Sequence, residues 1–293
     1  GYKGEEVGLC KWDGLFERLF LDEKTSWGTK RFNYEDIFIQ DLLIESTVYF
    51  LKTYGIDGIR IDNVDGILRF GDNGDGLERP YGRGFLRRLI RTVNTQKKDF
   101  LSHLEAHYFY GDNAKLLVAP LQKHEKALGA SAYTSSRITH WFHKEFMPKS
   151  ADDISIWALE NIRAEKEWGK SNSTIADFHN HDAAAGLMEM RATGSYAYDA
   201  LTLNNSYLHN HAIGKIRVME AFIAFGCEGR ILDLLQTFLL QKGSFEHEPE
   251  IQWGLLHSIE SKKMIEFKKN INILLQKEPT FWPQNNLYRS FLH

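Results

Sequence analysis

An arginine and an aspartate two residues apart, Arg60 and Asp62, end an apolar, β-branched run, Gly58-Ile59-Arg60-Ile61-Asp62. In a strand, residues i and i+2 face the same side. The pair therefore shares one face at the strand's C-terminal end. A fixed cation beside a carboxylate keeps it ionised and oriented, which suits a nucleophile better than a proton donor. An isolated Arg-x-Asp is most often an ordinary internal ion pair. Two further acidic positions shift the reading. Glu105 closes the run Phe100-Leu101-Ser102-His103-Leu104-Glu105, and Asp182 closes residues 173–182, STIADFHNHD. Three carboxylates at the ends of successive strands suit glycosidic-bond chemistry, which needs a carboxylate nucleophile and a carboxylic acid on opposite sides of the bond. Glu105 follows an apolar segment and has no cation beside it in sequence. Partial burial would raise its pKa and let it serve as the acid, then as the base. His179-Asn180-His181-Asp182 also offers metal-binding side chains, but two histidines that close fit a helical His-x-x-x-His site poorly. A polar loop is the preferred reading there.

These residues need elements to position them. Residues 36–54 carry Ile39, Leu42, Leu43, Val48, Phe50 and Leu51 at helical spacing, with Gly55 at a C-cap position. A strand is expected over 58–62, a Gly/Asp-rich loop over 71–84, a helix over 84–96 and a strand over 100–105. Helix, strand, helix, strand with short links implies a parallel α/β arrangement. Beyond it, a short strand at 130–135, helices at 138–146 and 152–168, a strand at 173–178, and helices within 212–241 and over 259–275 are expected. Residues 1–34 read as a long loop. No repeat, low-complexity tract or linker interrupts the 293 residues, so one domain is the simplest organisation.

Bulk properties exclude several classes. A net charge of −3 points away from nucleic acid and from anionic membrane surfaces. No apolar run approaches the ~20 residues of a membrane span, and no signal peptide is evident. Two cysteines, Cys10 and Cys227, are too few for a disulfide framework, so a reducing, cytoplasmic setting is expected. The loop Gly71-Asp72-Asn73-Gly74-Asp75-Gly76 opens like a calcium loop but lacks the matching distal glutamate. Neither a metal nor a cofactor is expected.

The three carboxylate segments together resemble the α-amylase family of glycoside hydrolases and transglycosylases. Gly58 to Asp62 is similar to the family's strand-4 motif, Glu105 to its strand-5 acid, and Asn180-His181-Asp182 to its strand-7 Asn-His-Asp. The resemblance implies an α/β fold, a (β/α)8 TIM barrel of which this chain covers roughly strands 4 to 8. It implies Asp62 as nucleophile, Glu105 as general acid/base and Asp182 as transition-state stabiliser. Arg60, His181 and Asn180 would bind substrate around the attacked glucose. Within the family the chain looks most like the glycogen (1,4-α-glucan) branching enzymes. That likeness rests on residues 8–34 with their Lys-Trp-Asp-Gly-Leu-Phe and Ser-Trp-Gly-Thr-Lys-Arg-Phe-Asn-Tyr runs, on residues 57–68, on 195–202 and on 243–253.

Departures accompany the likeness. Ala106-His107-Tyr108 after Glu105, His179 and Ser244 differ from the usual patterns. The family's strand-3 Asp/His motif is not in the chain, nor are the first three strands and the flanking β-sandwich modules. The expectation is therefore that residues 1–293 are the C-terminal part of a catalytic barrel, needing the missing N-terminal half for a complete site. The implied activity is retaining cleavage of α-1,4 bonds in an α-glucan, with transfer to a 6-hydroxyl to form α-1,6 branches. An amylase-type hydrolase and a catalytically silent glucan-binding fragment are the alternatives.

Overall fold

The computed structural model describes residues 18–25, 28–70, 76–106, 111–134, 175–176, 230–231 and 253–278, together with several helical positions between 213 and 225. The chain divides into two compact units, residues 1–135 and 136–293. Among the described residues, no helix is long and apolar enough to cross a membrane.

Among the described residues of the first unit, an antiparallel hairpin, β1 (Phe20–Lys24) and β2 (Lys30–Phe32), precedes the longer helices. It lies within the stretch expected to be loop. Phe20 and Phe32 stack across it with ring centroids 5.0 Å apart. Its strands are rich in charge, so their alternation is hard to read; Arg31 is buried and pairs with Glu23 at 3.2 Å.

Helix α1 (Ile37–Tyr54) follows the expected span closely. Asp36 caps it by accepting from the Phe38 N–H at 2.9 Å. Gly55 closes it in the left-handed region, φ 64°, donating to the Leu51 carbonyl at 3.0 Å. The chain then enters strand β3 (Gly58–Ile61). A Cβ at Gly58 would stand 2.5 Å from the Leu101 carbonyl oxygen, so only glycine lets β3 approach the neighbouring strand this closely.

Two helices lead from β3 to the next strand: α2 (Val64–Leu68), absent from the sequence reading, and α3 (Pro80–Gln96), which starts four residues earlier than expected. Proline suits the first turn of α3, where no N–H partner is needed. Phe85, Leu86, Leu89, Ile90 and Val93 recur at helical spacing and are all buried. They meet Phe100 and Leu104 in the main core. Strand β4 (Leu101–Glu105), helix α4 (Gly111–Val118) and strand β5 (Ala132–Thr134) complete a three-stranded sheet of order β3-β4-β5, parallel throughout. The helical connection after each strand is the expected α/β pattern.

In the second unit, β6 (Ile175–Ala176) pairs in parallel with β7 (Arg230–Ile231). Helix α5 (Ile259–Lys277) matches the amphipathic segment expected over 259–275; Ser258 caps it by accepting from the Ser261 N–H at 3.0 Å. Buried Lys268 of α5 pairs with buried Glu220. The helices expected over 138–146 and 152–168 fall outside the described residues.

Candidate active site

The register of two parallel strands builds the site. Arg60 of β3 lies opposite His103 of β4, and Ile61 opposite Leu104. One step further, Asp62 comes level with Glu105. Because side chains alternate, Arg60, Asp62, His103 and Glu105 share one face of the sheet at its C-terminal end. Strand β5 extends that face with Thr134, opposite Glu105.

The Arg60 guanidinium forks between the two carboxylates. Its Nη1 donates to Asp62 Oδ1 at 2.8 Å, and its Nη2 donates to Glu105 Oε1. A planar fork with several fixed donors is the group suited to bridge two acids. The other Glu105 oxygen, Oε2, accepts the Asn63 backbone N–H at 3.0 Å. Glu105 is thus gripped on both oxygens and nearly enclosed, its side chain 10% exposed. Asp62 is open, its side chain 63% exposed.

The sheet adds partners that the sequence does not show. Glu105 has no cation beside it in sequence, yet the register brings it Arg60 and a backbone donor besides. Partial desolvation, then a hydrogen bond to Glu105 and repulsion from it, push the Asp62 carboxyl above its ordinary value; Arg60 opposes them. With Asp62 so open to solvent, the nearby Glu105 carboxyl, bridged to it by Arg60, is the cause the geometry supports most directly.

His103 and Thr134 escaped the sequence reading. His103 Nε2 lies 2.5 Å from Thr134 Oγ1, and both residues are buried beneath the carboxylate layer. The signal was present: His103 is two residues before Glu105 and must share its face. Asp182, His181 and Asn180 lie outside the described residues, as does most of the loop 71–76. Among the described residues, no group of three or more histidines, cysteines or acids is placed to hold a metal ion.

Comparison with solved structures defines the class of fold. The chain superposes on an α-amylase from Geobacillus thermoleovorans, bound to acarbose, with a TM-score of 0.56 at 14% identity, covering 92% of this chain and 54% of that one. Pullulanase from Bacillus acidopullulyticus gives 0.59 at 12% identity, covering 90% and 32%. These are enzymes of the α-amylase, TIM-barrel type, and the fold of this chain is similar to part of theirs.

By sequence the chain resembles 1,4-alpha-glucan branching enzymes. That from Oceanobacillus iheyensis, named GlgB, is 23% identical over 308 residues, covering 98% of this chain. The chain spans 44% of that relative's length. No family model matches the chain.

Proposed function

We propose that residues 1–293 form part of a retaining α-glucan-active enzyme that makes α-1,6 branches. The observation that carries this reading is Arg60 forked between Asp62 and Glu105 on adjacent parallel strands. Asp62, the more open carboxylate, attacks the anomeric carbon of an α-1,4-linked glucose. The C1–O4 bond breaks while Glu105 delivers a proton to O4. The covalent glucanyl-Asp62 intermediate then meets an acceptor; Glu105 removes the proton of a glucan 6-hydroxyl as the C1–O6 bond forms. Asp182 is assigned to stabilise the charge that develops on the sugar, with His181 and Asn180 binding the same glucose. Neither metal nor cofactor has a part in these steps. The assignment to branching follows the names of the sequence relatives, and with it come glycogen synthesis and a cytoplasmic setting.

For these steps Glu105 must hold a proton while Asp62 is ionised to attack. The Arg60 fork suits this division of roles, because it reaches both carboxyls and can bond whichever bears the charge.

Water as acceptor gives an amylase-type hydrolase, a second reading favoured by the α-amylase and pullulanase neighbours. Partition between water and a sugar hydroxyl depends on acceptor positioning and water exclusion. Incubation of amylose with the full-length protein distinguishes them. Branching lowers iodine staining with few new reducing ends and adds α-1,6 anomeric signals to the proton spectrum. Hydrolysis releases reducing ends in step with the loss of stain. No change in either measure refutes both readings and leaves a silent glucan-binding fragment.

A further inference from the structure

One residue between the two carboxylates has an unusual backbone. Asn63 adopts φ 45°, ψ 54°, a left-handed conformation that L side chains other than Asn and Asp seldom accept. The conformation has two consequences. It turns the Asn63 N–H back towards the sheet, where it meets Glu105 Oε2 at 3.0 Å. It also brings the Asn63 side chain over the start of α2, where Oδ1 accepts the Gly66 N–H at 3.2 Å.

Gly66 is fixed from its other side. Arg31 Nη1, buried on β2, donates to the Gly66 carbonyl at 3.2 Å. A Cβ on Gly66 would lie 2.5 Å from Arg31 Nη1 and 2.9 Å from Asn63 Nδ2, so the junction has no spare volume. Arg31 in turn pairs with Glu23 across the hairpin. A continuous chain of polar contacts runs from the hairpin through Arg31, Gly66 and Asn63 to the Glu105 carboxylate.

We propose that Asn63 is a positioning residue for Glu105: its left-handed turn, pinned by Gly66 and Arg31, holds Oε2 by a backbone N–H while Arg60 holds Oε1. The proposal rests on the reading of Glu105 as the general acid/base. Backbone strain of this kind persists where surrounding structure over-determines it, and here each flanking contact is identified. With both oxygens held by donors from two different elements, the carboxylate has one permitted plane. Its proton, once acquired, is directed towards the open side where Asp62 and the substrate stand. A donor on Oε2 also favours the ionised form, so the turn tunes the ease with which Glu105 protonates as well as its orientation.

The test uses the full-length protein, with two readouts. First, with asparagine-selective nitrogen-15 labelling, the Asn63 amide proton should move with pH as Glu105 ionises. In Glu105→Gln the greater part of that movement should be lost, leaving only the response to neighbouring Asp62, which Asp62→Asn removes. This readout needs no turnover, so it stands even if the protein has no action on glucan, and an amide that ignores Glu105 overturns the proposal. Second, Asn63→Val, whose β-branched side chain resists the left-handed turn, should lower kcat on maltooligosaccharides by roughly tenfold or more with little change in KM. The alkaline limb of its pH profile, which reports the acid Glu105, should shift upwards. Asn63→Gly, which adopts the turn freely, should keep severalfold more of kcat than Asn63→Val. Equal kcat values and unshifted pH profiles in folded Asn63→Val and Asn63→Gly would also overturn it.

Discussion

Removing the head of Arg60 while keeping its stem, as in Arg60→Met, tests the central geometry. The guanidinium makes two charge-assisted bonds, and their surroundings differ. Its bond to Glu105 is largely sheltered, since the Glu105 side chain is 10% exposed. Hydrogen bonds to charged groups contribute roughly 1.5–3 kcal/mol each. The Asp62 arm meets a side chain that is 63% exposed, where an ion pair contributes about 0–1 kcal/mol. Together they amount to about 1.5–4 kcal/mol, of which the Glu105 arm is the larger part. If that stabilisation is felt in the transition state, kcat/KM on maltooligosaccharides should fall by about tenfold to 1,000-fold at ~1.4 kcal/mol per decade. Arg60→Lys should recover only a fraction, because a single ammonium cannot fork to two carboxylates. The assay is initial-rate kinetics of the full-length protein, with circular dichroism to establish folding. A folded Arg60→Met variant within twofold of wild-type kcat/KM would refute both the bridging role and the placement of the reaction between Asp62 and Glu105.

Further consequences follow from other contacts. Asp62→Asn should abolish turnover while leaving glucan binding within a few-fold of wild type by affinity electrophoresis; a near-normal rate would sink the nucleophile assignment. The same substitution has a pH signature. Because the folded-state pKa of Asp62 is raised, its contribution to stability is present below the unfolded value and is lost as pH rises through the folded value. Denaturant melts should therefore show Asp62→Asn gaining stability relative to wild type between acid and neutral pH, and a gap that narrows over that range would contradict a raised Asp62 carboxyl. In the second unit, Lys268→Met leaves Glu220 buried at 3% exposure without its cation and should cost roughly 3–5 kcal/mol in urea unfolding, most of it recovered in Lys268→Met/Glu220→Leu. Gly66→Ala places a methyl 2.5 Å from Arg31 Nη1 and should cost about 1–3 kcal/mol by the same measure.

What was legible in the sequence was local. Helix α1 announces itself through an apolar stripe, an aspartate cap and a glycine stop, and strand β3 through a short β-branched run after that stop. Asp62 and Glu105 were found because strand ends are marked by the change from apolar to polar residues. The omissions share a physical cause. Helix α2 begins on a left-handed asparagine one residue after Asp62, and five residues are too few for a period to emerge. The hairpin of β1 and β2 hides a buried arginine within a charged sequence, and partners that are distant along the chain, Glu23 across the turn and the Gly66 carbonyl, explain the burial. The cation on Glu105 lies 45 residues away in sequence and arrives by register, which no local pattern encodes.

That last omission bears on how acid and nucleophile are told apart. Sequence neighbours make Asp62 the ionised partner, because Arg60 is two residues away, and leave Glu105 to burial. The sheet adds donors that change this picture: Glu105 takes one arm of Arg60 and the Asn63 N–H, while the Asp62 carboxyl is raised above its ordinary value by partial desolvation and by Glu105. Substrate is needed to complete the two roles. A sugar ring between the carboxyls weakens the influence of Glu105 on Asp62, and it covers the opening through which water reaches Asp62. Arg60 can then settle on Asp62, and Glu105, deprived of part of its cation in an enclosed position, becomes the better home for the proton. On this account, catalytic polarity belongs to the complex with glucan. The unliganded carboxyl pair should therefore titrate as one coupled unit, whereas a bound, non-cleavable maltooligosaccharide should separate the two ionisations; carboxyl-carbon NMR of both states would expose the difference, and a titration unchanged by the sugar would show that the roles are already set in the free protein.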